Sequence, residues 1–262
     1  MKKLIGLWVV GGFLVCCLVG SLQAKTLTVG CDINFMPFEF KQGDSYVGFD
    51  IDLWDAVAKE LGVDYTIKPM NFDKLIPGLQ TGNIDVALAG MTINAKREKL
   101  VDFSYPYFDA GLQIMVRHDT KNINSLLDLK GKVVATKAGT TSADFVKAIK
   151  LSGVGAGNSP TYHTKEMKLL TDIRDAYKAL SDGSADAVVF DSPVLLYSIN
   201  NEGKGKFKTV GPLYKRQTYG IAFQPKSELR ERVSITLLKL FEDGTYNKIY
   251  KKWFGYLKDT VY

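Results

Sequence analysis

The stretch Leu79-Gln-Thr-Gly-Asn-Ile-Asp-Val-Ala-Leu-Ala-Gly-Met-Thr-Ile-Asn-Ala-Lys-Arg97 decides how the chain is read. Ile84 to Ala89 is a short apolar run behind a Gly82-Asn83 turn, the pattern of a buried strand. Gly90 ends it, Thr92 and Asn94 offer N-cap oxygens, and a helix beginning at Ala95 is expected. A strand feeding a helix N-terminus points unpaired backbone N–H groups one way, with the positive end of the helix dipole behind them. Thr92 adds a hydroxyl, and Arg97 a planar fork suited to both oxygens of a carboxylate. Alone, the unit also fits an ordinary strand-to-helix turn with a surface arginine.

The chain carries this unit twice. Leu79, Gly82, Asp85 and Gly90 recur as Leu180, Gly183, Asp186 and Asp191, each 101 positions later. The first copy ends in Gly90 and leads to donors, whereas the second ends in a carboxylate, Asp191. If the copies sit in two similar lobes facing each other, one strand end holds a carboxylate and the other an ammonium. A free α-amino acid carries both charges.

Outside this pair of units, residues 1–24 read as a cleavable export signal. Lys2 and Lys3 precede an almost wholly apolar run from Leu4 to Val19, and Ser21-Leu-Gln-Ala24 ends on a small residue. The run is short for a membrane span, and neither Cys16 nor Cys17 has the small-residue context of a lipid attachment site. Cleavage leaves Cys31 as the one cysteine of three, so no internal disulfide can form. It also leaves 238 of the 262 residues and lowers the formal charge from +6 to +4. The remaining charges are mixed in sign along the chain, which excludes a basic nucleic-acid-binding block.

Leu27 to Cys31 reads as a strand, with Asp32 at its C-terminal end, where ligands bind in open α/β sheets. Phe35 is either core or the wall of a cleft. Gly48 to Leu61 reads as a helix with Ile51, Trp54, Val57, Ala58 and Leu61 inward and Asp50, Asp52 and Glu60 outward. Its acids suit the helix dipole and lack the spacing of a calcium loop. Tyr65 to Lys68 is a strand, and Asn71-Phe72-Asp73 caps a helix running through Leu79. Asp109 to Val116 is a strand leaving the first lobe, and residues 124–130 form a short helix. Lys132 to Ser142 is a second strand entering a helix, with Lys137, Thr140 and Thr141 facing a ligand and Gly139 permitting close approach. It lacks the Gly-Lys-Ser/Thr ending of a nucleotide loop. Residues 152–164 read as a surface loop, Asp172 to Leu180 as a helix, and Gly220 to Phe223 as a strand. Helices over Ser227 to Phe241 and Thr245 to Phe254 complete the chain.

The segments Phe38-Glu-Phe-Lys-Gln-Gly-Asp-x-Tyr-Val-Gly-Phe-Asp-x-Asp-Leu-Trp54, Ala87-Leu-Ala-Gly-x-Thr92 with Arg97, Gly131-Lys-Val-Val-Ala-x-Lys137, Gly220-Ile-Ala-Phe223 and Gly244-Thr-Tyr-Asn-x-Ile-Tyr-Lys-Lys-Trp-Phe-Gly255 span nearly the whole mature chain. In them the sequence resembles the bacterial extracellular solute-binding proteins of polar amino-acid transport, most closely the glutamine-binding members. The resemblance implies an α/β, two-lobed periplasmic-binding-protein fold of type II, with the ligand in the interlobe cleft. Lobe 1 would comprise residues 25–106 and 220–262 and lobe 2 residues 112–215, with hinge strands at 107–111 and 216–219.

The same resemblance places the ligand carboxylate on Arg97, Thr92 and Thr141, and its ammonium on Asp191 and the carbonyl at Gly90, next to Ala89. Phe35 and Phe72 would sandwich the side chain, with Asp32 and Lys137 near its polar tip. Two positions depart from the glutamine-binding pattern: Thr141 replaces a Gly, and Phe190 replaces a His. The implied protein is an exported, periplasmic monomer without cofactor or metal that hands glutamine or a related polar amino acid to the permease of an ABC importer. Glutamate or arginine are the alternative ligands. An exported dehydratase on the same fold is the rival class. It would need a free acid in the cleft, whereas Asp32 and Asp191 are expected to be paired with Lys137 and Arg97, and His118 and His163 form no triad or zinc spacing.

Overall fold

The structure, a computed structural model, describes residues 26–151 and 164–256. The proposed export signal, the loop over 152–163 with His163, and the last residues of the chain lie outside the described residues.

In chain order, β1 (Leu27–Cys31) leads into a small antiparallel ribbon of β2 (Asn34–Phe35), β3 (Glu39–Gln42) and β4 (Ser45–Val47). Then come α1 (Phe49–Leu61), β5 (Tyr65–Pro69), α2 (Phe72–Gln80), β6 (Val86–Ala87) and β7 (Asp102–Phe103). The chain crosses on β8 (Phe108–Arg117) and builds β9 (Val133–Lys137), α3 (Thr141–Leu151), β10 (Glu166–Leu170), α4 (Ile173–Ser181), β11 (Ala187–Asp191) and α5 (Ser192–Asn200). It returns on β12 (Phe207–Tyr219) and closes with β13 (Ala222–Phe223), α6 (Glu228–Glu242) and α7 (Thr245–Phe254).

The strands form two five-stranded sheets, ordered β5-β1-β6-β13-β7 and β10-β9-β11-β8-β12. In each, the first three strands pair in parallel and the remaining two pairings are antiparallel. The repeated unit therefore occupies the same place twice, as helix α2 into β6 and helix α4 into β11. Each repeated residue has a physical reason. Leu79 and Leu180 are fully buried, and Gly82 and Gly183 take the left-handed conformation that follows the helix end. Asp85 Oδ2 accepts the Thr28 N–H at 2.9 Å, and Asp186 Oδ2 accepts the Val133 N–H at 2.8 Å. Each aspartate thus ties the third strand of its sheet to the start of the neighbouring strand, β1 or β9.

β8 and β12 run antiparallel from Phe207 opposite Arg117 to Tyr219 opposite Phe108, so segments 107–111 and 216–219 lie side by side. Their ends are fixed by aromatic packing around Phe38. Its ring lies 4.8 Å from Phe108, 5.4 Å from Tyr219, 5.9 Å from Phe49 and 5.3 Å from Phe254. One side chain thereby joins the N-terminal ribbon, α1, both crossing strands and the last helix. Helix α7 is also clamped to α1, since Asp52 Oδ2 accepts from Trp253 Nε1 at 2.6 Å and from Lys252 at 2.7 Å.

Three expectations are corrected. Residues 95–100 form turns rather than a helix: Asn94 caps the Arg97 N–H with both its carbonyl and Oδ1, and the chain must reach β7 by Asp102. Exposed Lys96, Glu98, Lys99 and Leu100 offer no apolar stripe to hold a helix there. The strand read over 84–89 pairs only at Val86–Ala87. Asp50 does not face solvent but is completely buried, and α1 hides a wider face than its apolar stripe, from Phe49 through Ala58.

Replacing Phe38 by Ala is expected to cost about 3 to 5 kcal/mol of folding free energy in urea unfolding. A loss below about 1 kcal/mol, in the range of an ordinary surface change, would show that the crossing strands are held elsewhere.

Candidate functional site

Strand ends from the two sheets meet in one cleft lined by Phe35, Phe72, Gly90, Thr92, Arg97, Lys137, Thr140, Thr141, Phe190 and Asp191. Of the residues anticipated from sequence, Asp32 lies just behind this lining, bonded to Lys137, and Ala89 is buried in the core of the first lobe.

The turn after β6 is shaped by Gly90. Its φ of +49° is left-handed, and its N–H donates to buried Asp50 Oδ2 at 3.0 Å. A Cβ at this position would run into the Phe35 ring. Phe35 is nearly buried, stacked on Phe38 at 5.2 Å and set edge-on to Phe190 at 5.9 Å. Phe190 is fully buried on β11, so it extends the aromatic wall and brings no polar group to the cleft.

Arg97 reaches the cleft from the turn and is 7% exposed. Its Nη1 donates to the Thr92 carbonyl at 2.8 Å, and Nη2 to the Gly139 carbonyl of the other lobe at 3.3 Å. The guanidinium lies 5.1 Å from the centre of the Phe72 ring, a cation–π contact. Burial lowers its pKa to about 10, which leaves it cationic at neutral pH.

Across the cleft, Asp191 ends β11 and is 5% exposed. It forms no contact pair with Arg97, contrary to the expected pairing. Its Oδ1 accepts from Gln217 Nε2 at 2.7 Å and its Oδ2 from the Tyr219 hydroxyl at 2.9 Å. Gln217 in turn accepts from the Thr141 hydroxyl at 2.8 Å. Burial raises the Asp191 pKa to about 6, against the lowering effect of Tyr219, Gln217 and the more distant charges of Arg97 and Lys137. The carboxylate form therefore predominates at pH 7. Gln217 and Tyr219 were not anticipated. Their signal was the spacing of two along Gln217-Thr-Tyr219, which points both side chains to one face, but Lys215 and Arg216 just before them hide the strand.

Lys137 ends β9 and forms a buried ion pair with Asp32 at the end of β1, so a bond spans the two lobes. Burial raises the Asp32 pKa, and the Lys137 charge opposes it. Thr140 does not point its hydroxyl at the cleft: Oγ1 donates to the Lys137 carbonyl at 2.7 Å and accepts the Ala143 N–H at 3.2 Å, capping α3. Gly139, at φ +75°, lets the backbone of this turn approach Asp73 of α2.

This arrangement offers a fixed cation with hydroxyl neighbours, a fixed anion, an aromatic wall and one neutral ion pair. That is the inventory of a receptor for a small zwitterion. Residues 27–256 match the bacterial extracellular solute-binding proteins, family 3, and the chain belongs to that family. It is 32% identical over 232 residues to the arginine-binding extracellular protein ArtP of Bacillus subtilis (strain 168), covering 88% of this chain and 86% of that protein. It is 34% identical over 211 residues to the ABC transporter glutamine-binding protein GlnH of the same strain, covering 79% of this chain and 72% of that protein. The structure of an ancestral arginine-binding protein bound to glutamine is similar at a TM-score of 0.79 and 44% identity, over 88% of this chain and 98% of that one. The fold is the two-lobed α/β fold of periplasmic amino-acid-binding proteins, and the curated relatives named here are binding proteins.

Gly90→Ala is expected to lower stability by about 1 to 3 kcal/mol, combining a left-handed Cβ with overpacking against Phe35. Thermal melting measures this, and a variant that melts like the parent would show that the ring has room to retreat.

Proposed function

We propose that this chain captures a free polar L-amino acid, with L-glutamine preferred, between two lobes that close on it, and presents the closed form to the permease of an ABC importer. In this reading residues 1–24 direct export to the periplasm and the mature protein acts as a monomer. Lobe 1 is formed by residues 25–106 and 220–262 and lobe 2 by residues 112–215. The paired segments 107–111 and 216–219 serve as the hinge.

The observation that carries the reading is the opposition of Arg97 and Asp191 in one cleft, each held by its own hydrogen bonds to the protein. Arg97, Thr92 and Thr141 take the ligand carboxylate, and Asp191 with the carbonyl at Gly90 takes the ammonium. Preorganised partners lower the ordering cost of binding. Relatives named for arginine and for glutamine leave the side-chain end of the ligand open, and here the Asp32–Lys137 pair favours the amide. A carboxamide presents an acceptor oxygen to Lys137 and N–H donors to Asp32, satisfying both ions at once. A guanidinium would satisfy Asp32 but meet Lys137, and two like charges about 4 Å apart repel by about 4 kcal/mol at an effective dielectric of 20. Glutamate would satisfy Lys137 and meet Asp32. Phe35, Phe72 and Phe190 would pack against the methylene carbons.

The test is melting of ligand-stripped residues 25–262 against each common amino acid. A ligand at 100 times its Kd adds about 2.7 kcal/mol of stability. Glutamine should give the largest shift, and a flat profile across all amino acids would overturn the reading. Arg97→Ala should weaken binding of the preferred ligand by about 2 to 5 kcal/mol. Compared within each variant, Lys137→Met should move preference toward arginine and Asp32→Asn toward glutamate, each by at least about tenfold, or about 1.4 kcal/mol.

A further inference from the structure

Behind the ligand turn, outside the cleft, lie two acids that the binding scheme does not use. Glu39 of β3 and Asp50 of α1 are both completely buried, and the Asp50 N–H donates to the carbonyl of Phe38, the residue before Glu39, at 2.8 Å. Asp50 Oδ2 is fully engaged, accepting the Gly90 N–H at 3.0 Å and the Tyr107 hydroxyl at 2.8 Å. Asp50 Oδ1 and both Glu39 oxygens are buried without a donor among the described residues.

We propose that Glu39 and Asp50 hold one proton between them at neutral pH, and that this buried acid pair fixes the Gly90 turn and the Tyr107 end of the hinge in their binding geometry. Two ionised carboxylates on neighbouring segments, both out of water, would repel and leave three oxygens without donors. One proton resolves this, because a protonated Glu39 donates to Asp50 Oδ1 while Asp50 stays a carboxylate for Gly90 and Tyr107. The titratable groups around the pair are Cys31 and Asp32 of β1, Tyr107, Tyr219 of β12 and Tyr246 of α7, and the cation acting on it is Lys137, already paired with Asp32. Among the described residues, no other positive charge acts on the pair to hold a second negative charge there. Burial raises both carboxyls, Asp50 to about 6, and the charges of Asp50 and Asp32 add to the rise at Glu39. Through Asp50, α1 grips the turn whose carbonyl faces the ligand. Through Tyr107, whose carbonyl accepts the Tyr246 hydroxyl at 2.7 Å, it also grips the start of β8. Asp50 is thus a positioning residue, and Glu39 supplies its proton.

The sign of the pH effect follows from the raised Glu39 value. The folded chain keeps a proton that the unfolded chain releases near pH 4.3, so the parent loses stability as pH rises toward the folded value. Above about pH 7, one unit past the value of about 6 for Asp50 and Asp191, both have largely ionised and the Glu39 contribution stands apart. In urea unfolding from about pH 7 upward, the folding constant of the parent should fall relative to Glu39→Gln by up to about tenfold per pH unit. Parallel curves would overturn the shared proton. A measurement on the parent alone guards against a variant that fails to fold: its infrared spectrum at neutral pH should show a protonated buried carboxyl, and absence of that band would refute the proposal. The positioning role rests on the proposed function. Asp50→Ala should weaken L-glutamine binding by about tenfold to a hundredfold, the loss of a charged hydrogen bond, and unchanged affinity would overturn that role. If the parent binds no free amino acid, the proposed function fails, while the infrared and pH–stability readings, which use no ligand, still decide the proton.

Discussion

A carboxylate at Asp191 is tolerable in a nearly dry cleft only because β12 holds its register beside β8. Gln217 and Tyr219 alternate with Thr218 along β12, and both point at the same acid. A slip of one residue would turn them away and leave a buried charge without donors, a penalty of several kcal/mol. The same register places Tyr219 against Phe38 and Phe108, so the aromatic packing and the polar site enforce one alignment. Packing and charge solvation here are one constraint, seen from two sides of a strand.

The two sheets share a plan but end in opposite chemistry. The segment leaving the third strand of the first sheet turns at Gly90, which frees the backbone to bend under Phe35 and toward Arg97. The third strand of the second stops at an aspartate, which α5 follows directly. Helix position and strand pairing are the same in both, so the difference in ligand chemistry lies in the last residue of each unit. The ion pair between Asp32 and Lys137 likewise comes from matching places, the C-terminal ends of β1 and β9.

Much of this was legible in the sequence. Leu79, Gly82 and Asp85 with their later counterparts marked the duplicated plan, because burial, a left-handed turn and a backbone bond each demand a particular residue type. The helix read as ending at Leu61 does end there, where Gly62 caps α1 in the left-handed conformation. What stayed hidden depends on contacts far along the chain. Periodicity assigns an acid such as Asp50 to the surface, and only the Gly90 N–H and the Tyr107 hydroxyl make its burial tolerable. β12 is interrupted by irregular register between Val210 and Gln217, and Lys215 there takes a φ of +40°, which breaks the alternation that would reveal it. Opposite charges across the cleft suggested that Arg97 and Asp191 touch. Each instead has its own partners, the Thr92 and Gly139 carbonyls for Arg97 and the Gln217 amide and Tyr219 hydroxyl for Asp191.

The order of strands in the first sheet has a consequence for assembly. β13 lies inside that sheet, between β6 and β7, although it is made from Ala222 and Phe223, more than a hundred residues after them. Every strand of the second sheet comes from one continuous span, Phe108 to Tyr219. A chain delivered from its N-terminus can therefore close its middle first, while its opening third waits with a gap in its sheet. Such distant pairings are slow to form because the intervening chain must first be brought together. The last segment to emerge is thus the one that completes the first.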